Sequence, residues 1–110
     1  MDLTKKHCVP CEGGMPPMAE KDEGRYIKEV PSWKLIRDGI HKIRKEFIFK
    51  DFKKSIEFVN KVAKIAEEED HHPDIYIYYN KVHLELHTHA VGGLSENDFI
   101  MAAKIDKMNM

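Results

Sequence analysis

The rhythm of apolar and polar positions changes along the chain, and each change marks an element. From Phe52 to about Glu68, stepping about 100° per residue gathers Phe52, Ser55, Ile56, Phe58, Val59, Val62, Ala63, Ile65 and Ala66 into one broad stripe. Lys53, Lys54, Glu57, Lys61, Lys64 and Glu68 fall opposite, so a surface helix lying on a sheet is predicted. Pro73 disfavours helical geometry at His72, which ends that helix at or just before His71-His72. Beyond it the period shortens: IYIYY and VHLELHT read as two strands around an Asn80-Lys81 turn. In the second strand Val82, Leu84 and Leu86 point one way, and His83, Glu85, His87 and His89 the other. Upstream, WKLI and IHKIRKEFIFK read as strands flanking a two-residue Asp38-Gly39 turn, because Asp-Gly accepts the positive φ of a tight hairpin. Ile43, Phe47 and Phe49 share one parity there and mark the buried face.

Ser95 and Asp98 have the spacing of a capping box, in the looser form that allows Asp, and open a helix from about Glu96 to Lys107. On it Phe99, Ile100 and Ala103 make one apolar side and Met101, Ile105 and Met108 another, as expected of a helix with two neighbours. Residues 18–30 suit a short helix that Gly24 weakens. Residues 1–17, with CVPCEGGMPP and no periodicity, read as a flexible tail ahead of a single domain over 18–110. The order (α)-β-β-α-β-β-α with short connections favours an α+β fold, a four-stranded antiparallel sheet with helices packed on one face. Such a sheet leaves its second face open, carrying Tyr and His side chains, and a second copy of the chain is the economical cover. A homo-oligomer, dimer or tetramer, is therefore expected, the more so because 110 residues bury only a thin core.

Composition narrows the function. With 34% charged residues but a net charge of -1, the chain lacks the basic excess of a nucleic-acid binder. No apolar run approaches the roughly 18 residues of a membrane span, and MDLTKKHCVPC lacks a signal peptide's apolar core, so a soluble protein of the cytoplasm is expected. What stands out is histidine. His71 and His72 sit where a helix gives way to a strand, and His89 where the last strand gives way to Gly92-Gly93. If the two strands form a hairpin, the entry of the first lies beside the exit of the second and the three imidazoles line one pocket. Imidazole titrates near neutrality, so such a cluster can donate one proton and accept another at one pH, as elimination or addition of water requires. The plainer alternative for any one of them is a solvated or hydrogen-bonded residue.

The residues also carry a family resemblance. Glu67-x-x-Asp70-His71-His72-Pro73, Tyr-Asn-Lys-Val-His at 79–83, Thr88-His89 and Gly93-Leu94-Ser95-x-x-Asp98 closely resemble the pterin-4a-carbinolamine dehydratases, as does Phe49-Lys50-Asp51-Phe52. The likeness runs from about Trp33 to Ala103. It implies removal of water from the 4a-hydroxytetrahydropterin left by an aromatic amino acid hydroxylase, giving the quinonoid dihydropterin, in tetrahydrobiopterin recycling, without metal or organic cofactor. It also implies His71, His72 and His89 as the catalytic imidazoles, with Asp98 at the site and Glu67, Asp70 and Pro73 supporting. Asp98 is explained equally by helix capping. Glu67, one turn before His71, is placed to act on that ring. The leucine-rich first helix of many members is missing, and His87 lies outside the family pattern.

Two other readings compete. Cys8-x-x-Cys11 with His7 has the local spacing of half a zinc site, but the second half is absent. The other is a binding module, since some members of the family pair with a transcription factor or serve as assembly factors; relatives of the latter kind have lost the histidines, and this chain keeps all three.

Overall fold

The computed structural model describes residues 1–11 and 13–109. Three helices, α1 (Glu20–Tyr26), α2 (Phe52–Glu69) and α3 (Glu96–Met108), accompany four strands, β1 (Lys34–Ile36), β2 (Lys42–Ile48), β3 (Asp74–Tyr78) and β4 (Lys81–Leu86). The strands form one antiparallel sheet in the order β1-β2-β4-β3, so β4 is central and β3 is an edge. This is the expected α+β arrangement.

The period-two patterns decide which face is buried. Ile43 pairs with Leu86, and Phe47 with Val82, across β2 and β4. All four are buried, as is Leu84, and they meet Phe58, Val62 and Ala66 of α2 and Phe99, Ile100 and Ile105 of α3. Phe58 also stacks on Phe47 and Phe49, with centroids 4.6 and 4.9 Å away. At the start of α2 the Asp51 carboxylate accepts from the Lys54 N–H at 2.9 Å, and at its end Asp70 turns left-handed with φ 51°. Asp tolerates that conformation better than most side chains, and Pro73 then keeps the chain extended. Ser95 and Asp98 make the capping box of α3.

Three expectations change. Ile36 pairs with Lys42, so the first hairpin has a loop over residues 37–41 and not a two-residue turn. Gly39 takes positive φ (75°), while Arg37 and His41 turn back to the fully buried Glu23 of α1, at 2.9 and 2.8 Å. Satisfying that buried carboxylate holds the loop wide. The second hairpin turns one residue earlier than predicted, at Tyr79-Asn80, with Tyr79 at φ 53°. Asn80 is occupied instead with Phe49, donating to its carbonyl and accepting its N–H. Finally, the first residues, expected as a free tail, lie against the body. Leu3 is buried in the core, and the Cys8 N–H meets Glu69 at 2.8 Å. Its short turn over Leu3–Lys5 packs on α3, and because the segment runs without periodicity it gave no pattern to read.

Candidate active site

A hollow of about 560 Å³ opens where α2 passes into β3 and β4 passes into α3. His71, His72 and His89 all line it, although they come from opposite sides of the β3–β4 hairpin. Asp74 and His87, the latter on the parity of β4 that faces away from the core, join the wall, with Asp74 Oδ2 and His87 Nδ1 4.0 Å apart. His89 lies beyond the end of β4, in a short 3₁₀ turn over His89–Val91, so it is not on the strand face the alternation suggested.

The three imidazoles have different surroundings. His71 is nearly buried, and its Nε2 lies 2.6 Å from Oδ1 of Asp98. Asp98 is fully buried, and its Oδ2 accepts from the Thr88 hydroxyl at 2.8 Å and from the Ser95 N–H at 3.0 Å. One carboxylate thus caps α3 with one oxygen and holds His71 with the other. With Nε2–H donated to Asp98, His71 has Nδ1 left as an acceptor. His72 is half exposed and paired with the exposed Glu67. Glu67 was expected to act on His71; the helix stops one residue before His71, at the left-handed Asp70, and the turn there brings His72 over the last turn of α2 instead. His89 is exposed. Asp70 contributes to the wall of the hollow, and Pro73 follows the pair at the entry to β3. His83 lies elsewhere, on the open sheet face, 2.8 Å from Glu85 and edge-on to Tyr76.

The periodic pattern did not show that Val9, Pro10, Cys11 and Asn97 also line the hollow. The Asn97 amide accepts the Val9 N–H at 3.0 Å and donates to the Val9 carbonyl at 2.6 Å. Glu69, which accepts from Cys8, His7 and Lys104, continues the buried stripe of α2 past Ala66. That continuation was the one available signal, because a carboxylate on an apolar stripe needs buried partners. Burial opposes ionisation of Glu69, yet the bonds from Lys104, the Cys8 N–H and His7 bring its pKa down to about 2. Burial pushes the Cys8 thiol up to about 12, with the Glu69 carboxylate adding to it. Cys8 and Cys11 are both free thiols, and among the described residues no group of three or more His, Cys, Asp or Glu side chains could hold a metal ion. Among those residues no helix is long and apolar enough to cross a membrane.

Comparison with known proteins gives a consistent picture. The family model described as pterin 4 alpha carbinolamine dehydratase matches residues 16–108. A protein of Nitrosospira multiformis, provisionally named pterin-4-alpha-carbinolamine dehydratase, is 50% identical over 107 residues, which cover 97% of this chain and 92% of the relative. A similarly named protein of Halorhodospira halophila is 44% identical over 108 residues, covering 98% of each. Among solved structures, the transcriptional coactivator/pterin dehydratase of Brucella melitensis superposes with a TM-score of 0.78 at 30% identity, covering 84% of this chain and 97% of the other. A pterin dehydratase-like protein identified as a RuBisCO assembly factor of the alpha-carboxysome shares the fold, with a TM-score of 0.60 at 23% identity over 70% of this chain and 88% of the other.

Proposed function

The chain belongs to the pterin 4 alpha carbinolamine dehydratase family, and from that premise we propose that it removes water from a 4a-hydroxytetrahydropterin by proton transfer among His71, His72 and His89. The observation that carries this reading is a hollow lined by three imidazoles of unlike surroundings, one of them held by the buried Asp98. Elimination needs an acid at the departing oxygen and a base at the ring nitrogen. His72, as an imidazolium, gives its proton to the 4a-hydroxyl; the C4a–O bond breaks and water leaves. The N5–H bond breaks as Nδ1 of His71 takes that proton, and its electron pair closes the C4a–N5 double bond of the quinonoid dihydropterin. Asp98 fixes the tautomer this requires and offsets the charge the ring then carries. His89, exposed at the rim, exchanges protons with solvent and resets the pair. A general acid or base in position contributes about 10² to 10⁴ in rate.

No step calls on a metal or organic cofactor. In this reading the protein works in the cytoplasm as a homo-oligomer, dimer or tetramer, in tetrahydrobiopterin recycling, on a substrate supplied by an aromatic amino acid hydroxylase. The test is turnover of a freshly generated carbinolamine. His72→Ala should lower kcat by about 10²-fold or more with the fold intact, and the triple His variant should fall to the uncatalysed rate. Turnover by His72→Ala at the wild-type rate would remove His72 as the acid. No turnover by the wild type would remove the enzyme reading altogether.

A further inference from the structure

The segment before α1 does not behave as a tail. Residues 6–11 form a strap whose last three residues, Val9, Pro10 and Cys11, line the hollow, and it is tied down at intervals: Lys6 reaches Glu96 at 2.9 Å, His7 and the Cys8 N–H reach Glu69, and Val9 is held on both backbone groups by Asn97. These ties are placed around the catalytic residues. Glu69 stands two residues before His71, and Asn97 is the neighbour of Asp98. The first turn of α3 therefore faces two ways, with Asp98 fixing an imidazole and Asn97 fixing the strap opposite. Asn97 is 4% exposed and Asp98 fully buried, so neither can relax without leaving polar groups unpaired. Val9, by contrast, is 65% exposed although its backbone is clamped, and with Pro10 it offers an apolar surface to the hollow.

We propose that the strap is the wall against which the flat pterin ring is held, with Val9 and Pro10 in contact with the ring and Asn97 the positioning residue that keeps them there. This rests on the dehydratase reading and adds where binding strength comes from. A planar heterocycle exposes two apolar faces and a polar edge. The imidazoles suit the edge, where protons move, and a fixed apolar wall suits a face. The strap takes no part in proton transfer, so its loss should weaken binding and spare the chemical step.

The experiment uses the full chain and two single variants. Val9→Asp puts a carboxylate on an exposed wall position where folding is not at stake, and Asn97→Ala releases the clamp. Steady-state turnover and dihydropterin binding by fluorescence titration are measured for each. Both variants should raise KM and Kd by about tenfold or more, the equivalent of one lost contact, with kcat within about threefold of the wild type and the pH profile of kcat unmoved. Because both act through the same wall, the double variant should show less than the product of the single effects. Loss of kcat without a change in KM, or multiplicative effects in the double variant, would make Asn97 a merely structural residue and overturn the proposal. An active wild type with wild-type KM and Kd in Val9→Asp would overturn the strap alone. A wild type that neither binds nor turns over pterin would overturn the dehydratase reading and the strap with it.

Discussion

At the scale of single residues, Asp98 joins stability to the proposed chemistry. Its two oxygens serve different masters, one the start of α3 and Thr88, the other His71. Asp98→Asn retains the size and one acceptor but brings an amide NH₂ against groups that all donate. We expect a loss of about 1–2 kcal/mol in unfolding free energy, from one buried bond and part of a cap, and a fall in kcat of about 10²-fold, since His71 loses its anchor. Urea unfolding and steady-state turnover measure the two separately. Ser95→Ala is the comparison, because it removes a capping hydroxyl and leaves the Asp98 to His71 contact in place; it should show the stability loss with a much smaller effect on kcat. Equal falls in kcat would mean that His71 is positioned by α3 as a whole and not by this contact. Asp98 was legible in the sequence through its spacing from Ser95. Its bond to His71, 27 positions away, was not, because no local pattern encodes a long-range approach.

At the scale of elements, the same helix start organises the site. Glu96 takes Lys6 and the Tyr26 hydroxyl, Asn97 takes Val9, and Asp98 takes His71 and Thr88. Three consecutive side chains of a first turn point in different directions, so one cap can gather α1, the strap and the β3 entry around itself. Strand β3 makes a different demand. It is an edge strand of the sheet, and Tyr76, Ile77 and Tyr78 stand exposed on it, with Tyr79 at the adjoining turn. An uncovered edge with large side chains invites pairing with a second copy. Light scattering at micromolar concentration is expected to give at least twice the mass of one chain, and Ile77→Lys, on the edge strand, should shift the distribution toward monomer. A wild-type monomer throughout that range would remove the homo-oligomer from the reading.

At the scale of the whole molecule, Glu69 fastens α2, α3 and the strap at one point through Lys104, Cys8 and His7. Its carboxyl titrates near 2 in the folded chain against an ordinary value of 4.5. A depressed folded-state value means that the unfolded chain binds the proton more readily. The contribution is thus complete above about pH 4.5 and is lost as the pH falls toward 2. The fall from 4.5 to about 2 corresponds to roughly 3 kcal/mol. Unfolding free energies of the wild type and Glu69→Gln should differ by about that amount at pH 7; the difference should shrink below about pH 4.5 and vanish only as the pH falls through about 2, with the strap released first. A constant difference across the range would show that Glu69 acts by packing and not by charge.

The sequence by itself determined the α+β class, the buried parity of β2 and β4, the extent of α2 and the cap of α3, because each follows from neighbours within a few residues and from the period of burial. It also carried the family, through motifs whose residues are individually distinctive. It did not determine the width of the first hairpin, the partner of Glu67 or the place of residues 1–11. In all three a polar group, whether the buried carboxylates Glu23 and Glu69 or the His72 ring, takes partners set by where the chain passes in space and not by spacing along it. Burial makes an unpaired carboxylate expensive, so the tertiary structure bends loops and docks segments until the carboxylate is satisfied, and a segment recruited in that way needs no periodicity of its own.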